Sequence, residues 1–200
     1  MCRRYSHRLI MKNNLDPKEI IISNNKVSQD MLESCADDIL FAANVLIENV
    51  KNGNKVLWCG NGGSAADSQH MSTELMGGLR DHDRPPIPSI ALTTDSSFLT
   101  AWSNDTGFRS VFSRQIKAIG NSGDVLIAIS TSGNSDNVVE AVNMAEKLNM
   151  KIIILTGESG GKLNNRGDVV INIPSKDTQR IQEGHLLTEH ILCEMLESSL

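Results

Sequence analysis

His70 and Glu74 stand four residues apart in the stretch GSAADSQHMSTEL. On a helix this spacing puts both side chains on one face, about 6 Å apart along the axis. An imidazole nitrogen and a carboxylate oxygen make an acceptable pair of zinc ligands, although a solvated helix face with an incidental His/Glu pair has the same pattern. Near the C-terminus, Gln182 and His190 are eight apart and His185 and Glu189 are four apart. Eight residues of regular helix separate two side chains by about 12 Å, which suits one ion only if the helix start unwinds or if two chains share the chelate. Spacing does not choose between these sets.

A second kind of chemistry is suggested by LIAISTSGNSDNV, where Ser130, Thr131, Ser132 and Ser135 put four hydroxyls into six residues. A helix cap consumes one such group. Neither lysine nor arginine stands among them, so this is no Walker loop, and it does not follow the GxGxxG pattern of dinucleotide-binding loops. Hydroxyls and free backbone N–H groups at a helix start, aided by the helix dipole, can cradle a phosphate without a fixed positive charge. The other glycine-rich loop, Gly60-Asn61-Gly62-Gly63-Ser64, has the same placement. Read alone, it is equally a tight strand-to-helix turn with Ser64 as N-cap.

Both loops need a scaffold that presents them side by side. Five short apolar runs, KVLWCG, PSIALTT, DVLIAIS, KIIILTG and DVVINIPS, alternate with stretches of helical character. Those stretches are Ala65 to Met76, a segment through Trp102, Phe108 to Ala118, Asn137 to Leu148 and Thr178 to Leu196. Continuous apolar strands separated by helices predict a doubly wound α/β fold, with a five-stranded parallel sheet covered on both faces. In such a sheet ligands bind beyond the carboxyl ends of the strands, where GNGGS and STSGNS lie. Upstream, Met31, Cys35, Ile39, Leu40, Ala43, Leu46, Ile47 and Val50 recur at threes and fours, so one amphipathic helix is expected from Ser28 to Asn52, ended by Gly53. Residues 1–27 are expected to form an extension, partly disordered or a short helix, with Met1 or Met11 as the true start; residues 28–200 form a single domain.

Composition narrows the function. A chain of 200 residues with 40% hydrophobic content and a net charge of -5 can bury one sizeable core but has no basic field for nucleic acid or an anionic membrane. No apolar window of about 18 residues is long enough to cross a bilayer. Cysteines 2, 35, 59 and 193 form no CxxC pair, which fits a reducing cytoplasm.

Taken together and in order, CGNGGSAADSQHMSTEL, ALTTD, SNDTGF, FSRQIKAIG, GDVLIAISTSGNSDNV, LTGESGGKL and RIQEGHLLTEHIL resemble the phosphoheptose isomerases, sugar-isomerase (SIS) domain proteins with a flavodoxin-like sheet. The resemblance runs from about Asn44 to the C-terminus. It implies conversion of D-sedoheptulose 7-phosphate to D-glycero-D-manno-heptose 7-phosphate through an enediol, a step toward nucleotide-activated heptose for surface polysaccharide. It also implies one zinc per subunit on His70, Glu74, Gln182 and His190, with Glu74 and His190 in the acid/base roles and His185 structural. Substrate contacts carried over on the motifs are Asn61, Gly62, Gly63 and Ser64, then Asn104 and Asp105 at sugar hydroxyls. Ser130, Thr131, Ser132 and Ser135 match the phosphate cradle, and Gln182 completes the set. The family builds its sites where subunits meet, typically in a homotetramer, to which the N-terminal helix could contribute.

Two departures stand out. Many relatives carry arginine where this chain has Gly78, leaving Arg80 and Arg84 as the nearby replacements, and some carry aspartate where it has Gln179. Non-enzymatic adaptors of the replication initiator share the scaffold but lack the acid and imidazole at the positions of Glu74 and His190. The presence of both favours an enzyme, and the same pair disfavours a sugar-phosphate sensor.

Overall fold

The computed structural model describes residues 15–200. The choice between Met1 and Met11, and the extension before residue 15, lie outside the described residues. The element order is α1 (Pro17–Ser34), α2 (Ala36–Lys51), β1 (Val56–Cys59), α3 (Gly63–Gly77), β2 (Ser89–Ala91), α4 (Ser96–Asp105), α5 (Val111–Ile119), β3 (Val125–Ser130), α6 (Asp136–Lys147), β4 (Lys151–Gly157), β5 (Val169–Ile173) and α7 (Thr178–Ser198).

All five strands pair in parallel, in the order β2-β1-β3-β4-β5. This is the flavodoxin-like order, whose switch point falls between β1 and β3. The sheet is buried on both sides, and alternate residues serve opposite faces. Trp58, Ile127, Ile153 and Ile171 pack with Leu46 of α2, Met71 and Leu75 of α3, and Leu192 and Leu196 of α7. Leu57, Leu126, Ile152 and Ile154 pack with Phe112 and Ile116 of α5 and with Ala141 and Val142 of α6. Each fully buried Leu or Ile contributes about 1.5–3 kcal/mol. Every residue of central β3 is buried, whereas edge strand β5 alternates buried with half-buried.

The N-terminal segment differs from the single helix expected over 28–52. Two helices meet at Cys35, whose backbone leaves the helical region at φ -123 and ψ -18. The apolar spacing runs through the break because Met31, Cys35 and Ile39 stay buried in one cluster. Helix α1 also starts earlier, at Pro17, where Asp16 caps it by accepting from the Lys18 N–H at 2.9 Å. Met31, Leu32, Leu40, Leu187 and Ile191, from α1, α2 and α7, line an open cavity of about 240 Å³. Leu32 and Phe41 are more than half exposed.

Candidate active site

The loops after β1 and β3 flank the switch point and are tied together by side chains. Asn61 and Asn137 form a reciprocal amide pair: Asn61 Nδ2 donates to Asn137 Oδ1 at 2.9 Å and Asn137 Nδ2 donates to Asn61 Oδ1 at 2.8 Å. Asn137 Oδ1 also accepts from the Val138 N–H at 3.0 Å, in the first turn of α6. Asn137 is buried, and its role escaped the sequence reading because its partner lies 76 residues away.

Ser64 is not the N-cap of α3. That position belongs to Gly62, at φ 59, and no side chain caps the helix. Ser64 lies inside the first turn, buried, and its carbonyl accepts from the Ser68 hydroxyl at 2.8 Å. Helix α6 also begins without a side-chain cap, although Ser135 occupies the cap position. The Ser135 hydroxyl instead meets that of Ser130 at 3.0 Å. The residue best placed to cap the helix is turned to Ser130 instead.

Thr131, Ser132 and Asn134 form one wall of a cavity of about 540 Å³. Glu158, Lys176 and Thr178, from the loops after β4 and β5 and the start of α7, stand on the others. Gly133 holds this wall at φ +64, and a Cβ there would collide with the carbonyl of Gly160. The Asn134 side chain completes the wall, donating to the Ser132 carbonyl at 2.9 Å and accepting from the Lys162 N–H at 3.0 Å.

Helices α3 and α7 pack side by side and run the same way. The Gln182 amide lies against Gly63, the His190 ring meets that of His70 edge-on with centroids 5.1 Å apart, and Cys193 Sγ approaches Met71 Sδ at 3.9 Å. His70 Nε2 is 3.1 Å from Glu74 Oε1. His190 Nδ1 lies 3.0 Å from the Leu186 carbonyl; a carbonyl only accepts, so Nδ1 is the donor in this bond and Nε2 faces away from it. His70, Glu74 and His190 thus share one neighbourhood, and their donor atoms suit zinc. Gln182 stands apart, eight residues back along α7. Among the described residues no three His, Cys, Asp or Glu side chains already converge on one ion. Burial raises the Asp67 carboxyl above the usual range, against the pull of His70 and His190. Asn104 and Asp105 are exposed at the end of α4, where Asn104 Nδ2 donates to Asp105 Oδ1 at 2.9 Å. Among the described residues, no recorded hydrogen bond joins them to either loop.

The sequence profile of the SIS domain matches residues 22–157. A phosphoheptose isomerase of Aliarcobacter butzleri is 46% identical over 183 residues, covering 92% of this chain and 96% of the relative. One from Campylobacter concisus is 49% identical over 158 residues, covering 79% and 83%. The solved phosphoheptose isomerase of Neisseria gonorrhoeae superposes with a TM-score of 0.85 at 42% identity, covering 90% of this chain and 96% of that one. The chain belongs to the phosphoheptose isomerase family of SIS-domain proteins. It is an enzyme of the isomerase class by that membership.

Against the family pattern, the two arginines near 78 are each paired with a carboxylate of α7. Gly78 sits at φ +100, and a Cβ there would strike the Asp81 carbonyl, so this loop geometry excludes any side chain. Arg84 is buried in an ion pair with Glu197, and Arg80 is exposed beside Glu194. Both partners lie near the end of α7, about 24 Å or more along the helix from Thr178 at the cavity beside Thr131 and Ser132. His185 and Glu189 do not pair either. His185 is fully buried with Nε2 3.1 Å from the Thr156 carbonyl, and burial pushes its pKa down to about 4. Glu189 is fully buried without a hydrogen-bond partner among the described residues, and burial pushes its pKa up to about 8.

No helix among the described residues is long and apolar enough to cross a membrane.

Proposed function

We propose that this chain isomerises D-sedoheptulose 7-phosphate to D-glycero-D-manno-heptose 7-phosphate in the cytoplasm, ahead of nucleotide-activated heptose for a surface polysaccharide. The observation that carries the reading is the meeting of Glu74 with His70, and of His70 with His190, across two helices that flank an uncapped hydroxyl loop.

Ketose-to-aldose conversion moves a proton between C1 and C2, and the phosphate on C7 lies at the opposite end of the substrate. Ser130, Thr131, Ser132 and Ser135 hold that phosphate, with free N–H groups at the start of α6. Asn61, held by Asn137, and the backbone at Gly62 and Gly63 border the sugar, with Ser64 buried beneath them. Glu74 removes the proton from one carbon and returns it to the other, while His190 moves a proton between the two neighbouring oxygens, so that the enediol forms and collapses with no net gain or loss of protons. His70, Glu74, Gln182 and His190 would hold one zinc per subunit, a Lewis acid that favours enediolate charge on oxygen. The separation of Gln182 from His190 supports sites shared between chains of a homotetramer, with Asn104 and Asp105 reaching the sugar of a neighbouring copy. The apolar cavity between α1, α2 and α7 supports such an assembly.

Conversion of sedoheptulose 7-phosphate by purified protein, with and without a chelator, tests the reading. Glu74→Gln and His190→Gln should abolish turnover while the protein stays folded. Wild-type protein that remains inert after zinc is restored rules the isomerase out.

A further inference from the structure

Helix α3 carries His70 and Glu74 and helix α7 carries His190, so the distance between the helices decides whether those three proposed ligands can share an ion. Their contacts advance in step, from Gln182 at Gly63 to His190 at His70 and Cys193 at Met71. Beyond them the helices are joined by a buried ionic knot. The Glu197 carboxylate accepts from the N–H groups of Leu79 at 2.8 Å, Arg80 at 2.8 Å and Asp81 at 3.1 Å, and from Arg84 Nε at 2.7 Å. Four donors fill its acceptor sites. The side chains of Arg84 and Glu197 are only 5% and 8% exposed. The same guanidinium donates through another nitrogen to the backbone carbonyl of Glu74 at 2.8 Å.

Arg84 therefore ties α7 to one particular carbonyl in the last turn of α3, that of the residue whose carboxylate is the proposed ligand and base. Arg80 and Glu194 show the contrast, because theirs is an exposed pair that touches neither helix backbone and is worth little. We propose that Arg84 and Glu197 are positioning residues, a clamp that fixes the Glu74 backbone against α7 and so sets the spacing between the ligands of the two helices. This rests on the isomerase reading above. A planar guanidinium reaches the carboxylate and the carbonyl through two nitrogens held in one rigid fork, whereas an ammonium offers both a single nitrogen on a flexible stem.

The test compares wild type with Arg84→Lys, Glu197→Gln and Arg84→Met. Zinc affinity is measured by competition with a chromophoric chelator, and ligand geometry by the visible spectrum of the cobalt-substituted protein. Lysine keeps the charge beside Glu197, so Arg84→Lys should melt near the wild type yet bind zinc roughly tenfold to a hundredfold more weakly, the usual effect of disturbing groups behind metal ligands. Glu197→Gln turns an amide NH2 toward two of the donors and leaves the buried guanidinium without its counter-charge, so it should melt lower and, where folded, bind zinc more weakly with an altered cobalt spectrum. In both, kcat should fall while KM for the sugar phosphate holds, since the phosphate cradle lies at the other end of α7. Should Arg84→Met or Glu197→Gln fail to fold, Arg84→Lys, which keeps the charge, still decides the matter. Folded variants with wild-type zinc affinity and an unchanged cobalt spectrum overturn the clamp, even if their melting temperature drops. Wild-type protein that binds zinc but leaves sedoheptulose 7-phosphate unchanged overturns the isomerase reading alone; wild-type protein that binds no zinc overturns both.

Discussion

The Asn61–Asn137 pair is the polar joint between the two loops proposed to hold the substrate, and a double-mutant cycle measures it. Asn137→Ala deletes the two bonds of the amide pair and the bond from the Val138 N–H, three in all. At about 1 kcal/mol net each, the expected loss of stability is about 3 kcal/mol. Asn61→Ala deletes only the shared pair, about 2 kcal/mol. Because those two bonds are lost in either single variant, the double variant should cost about 3 kcal/mol, not the sum, leaving a coupling of about 2 kcal/mol. Urea titrations at one fixed protein concentration give the four stabilities, the concentration being held because assembly contributes to the midpoint. The same cycle on KM should also be non-additive, since either deletion frees both loops. Additivity within about 0.5 kcal/mol would show that the amides do not work as a unit.

The remaining predictions concern the cradle, its backbone and a buried histidine. Ser132→Ala combined with Ser135→Ala removes two donors to a charged phosphate, about 3 kcal/mol or more, so KM should rise at least about a hundredfold in steady-state assays while zinc affinity stays at the wild-type value. Gly133→Ala should destabilise the protein by about 2–4 kcal/mol in urea titrations, through positive φ and the collision with Gly160. Gly77→Ala, in open space on α3, should be neutral or stabilising. The third concerns acid. His185 has its pKa lowered from 6.5 to about 4, so below 6.5 the unfolded chain binds a proton that the folded chain refuses. The histidine's own contribution should thus fall by about 3 kcal/mol as pH drops from 6.5 to about 4, opposed down to about pH 4.5 by Glu189, whose raised pKa makes the folded chain bind a proton that the unfolded chain does not. His185→Gln should remove that share, so that the urea midpoint of the variant rises relative to the wild type as pH drops through the window, and an unchanged difference between the two would exonerate the histidine.

The strands were legible because a sheet buried on both faces needs unbroken apolar runs, and KVLWC, DVLIAI and KIIILT have no other comfortable place in a chain of this size. The break at Cys35 was not. Met31, Cys35 and Ile39 keep helical spacing because both helices bury them in the same cluster, so periodicity reports the shared core and passes over the kink. The start of α1 did carry a signal, Asp16 before Pro17, but Ile20, Ile21 and Ile22 that follow are exposed in the single chain and give no one-sided stripe. At the site, residue types were readable and pairings were not. Four hydroxyls in six residues announce more than a cap, yet the Ser130–Ser135 bond that leaves α6 uncapped depends on how the strand enters the turn. Asn137 is one polar residue among several in GNSDN until the fold brings it to Asn61.

The glycine at 63 shows how one residue type can carry two arguments. In the sequence it belongs to a phosphate-like loop, where glycine lets backbone approach a ligand. In the fold, a Cβ at 63 would stand 2.6 Å from the Gln182 amide nitrogen, so the glycine is what lets α7 close on the start of α3. Gln182 is thereby committed to the loop end of the helix pair, while His190 sits beside His70, about 12 Å further along. The six carbon–carbon bonds of a heptose, at about 1.5 Å each, span at most about 9 Å. One chain therefore spreads its proposed ligands over more length than the substrate's carbon chain covers. Drawing the two ends of the proposed site from different copies would remove that conflict without unwinding α7, whose first turn is intact and capped by Asp177.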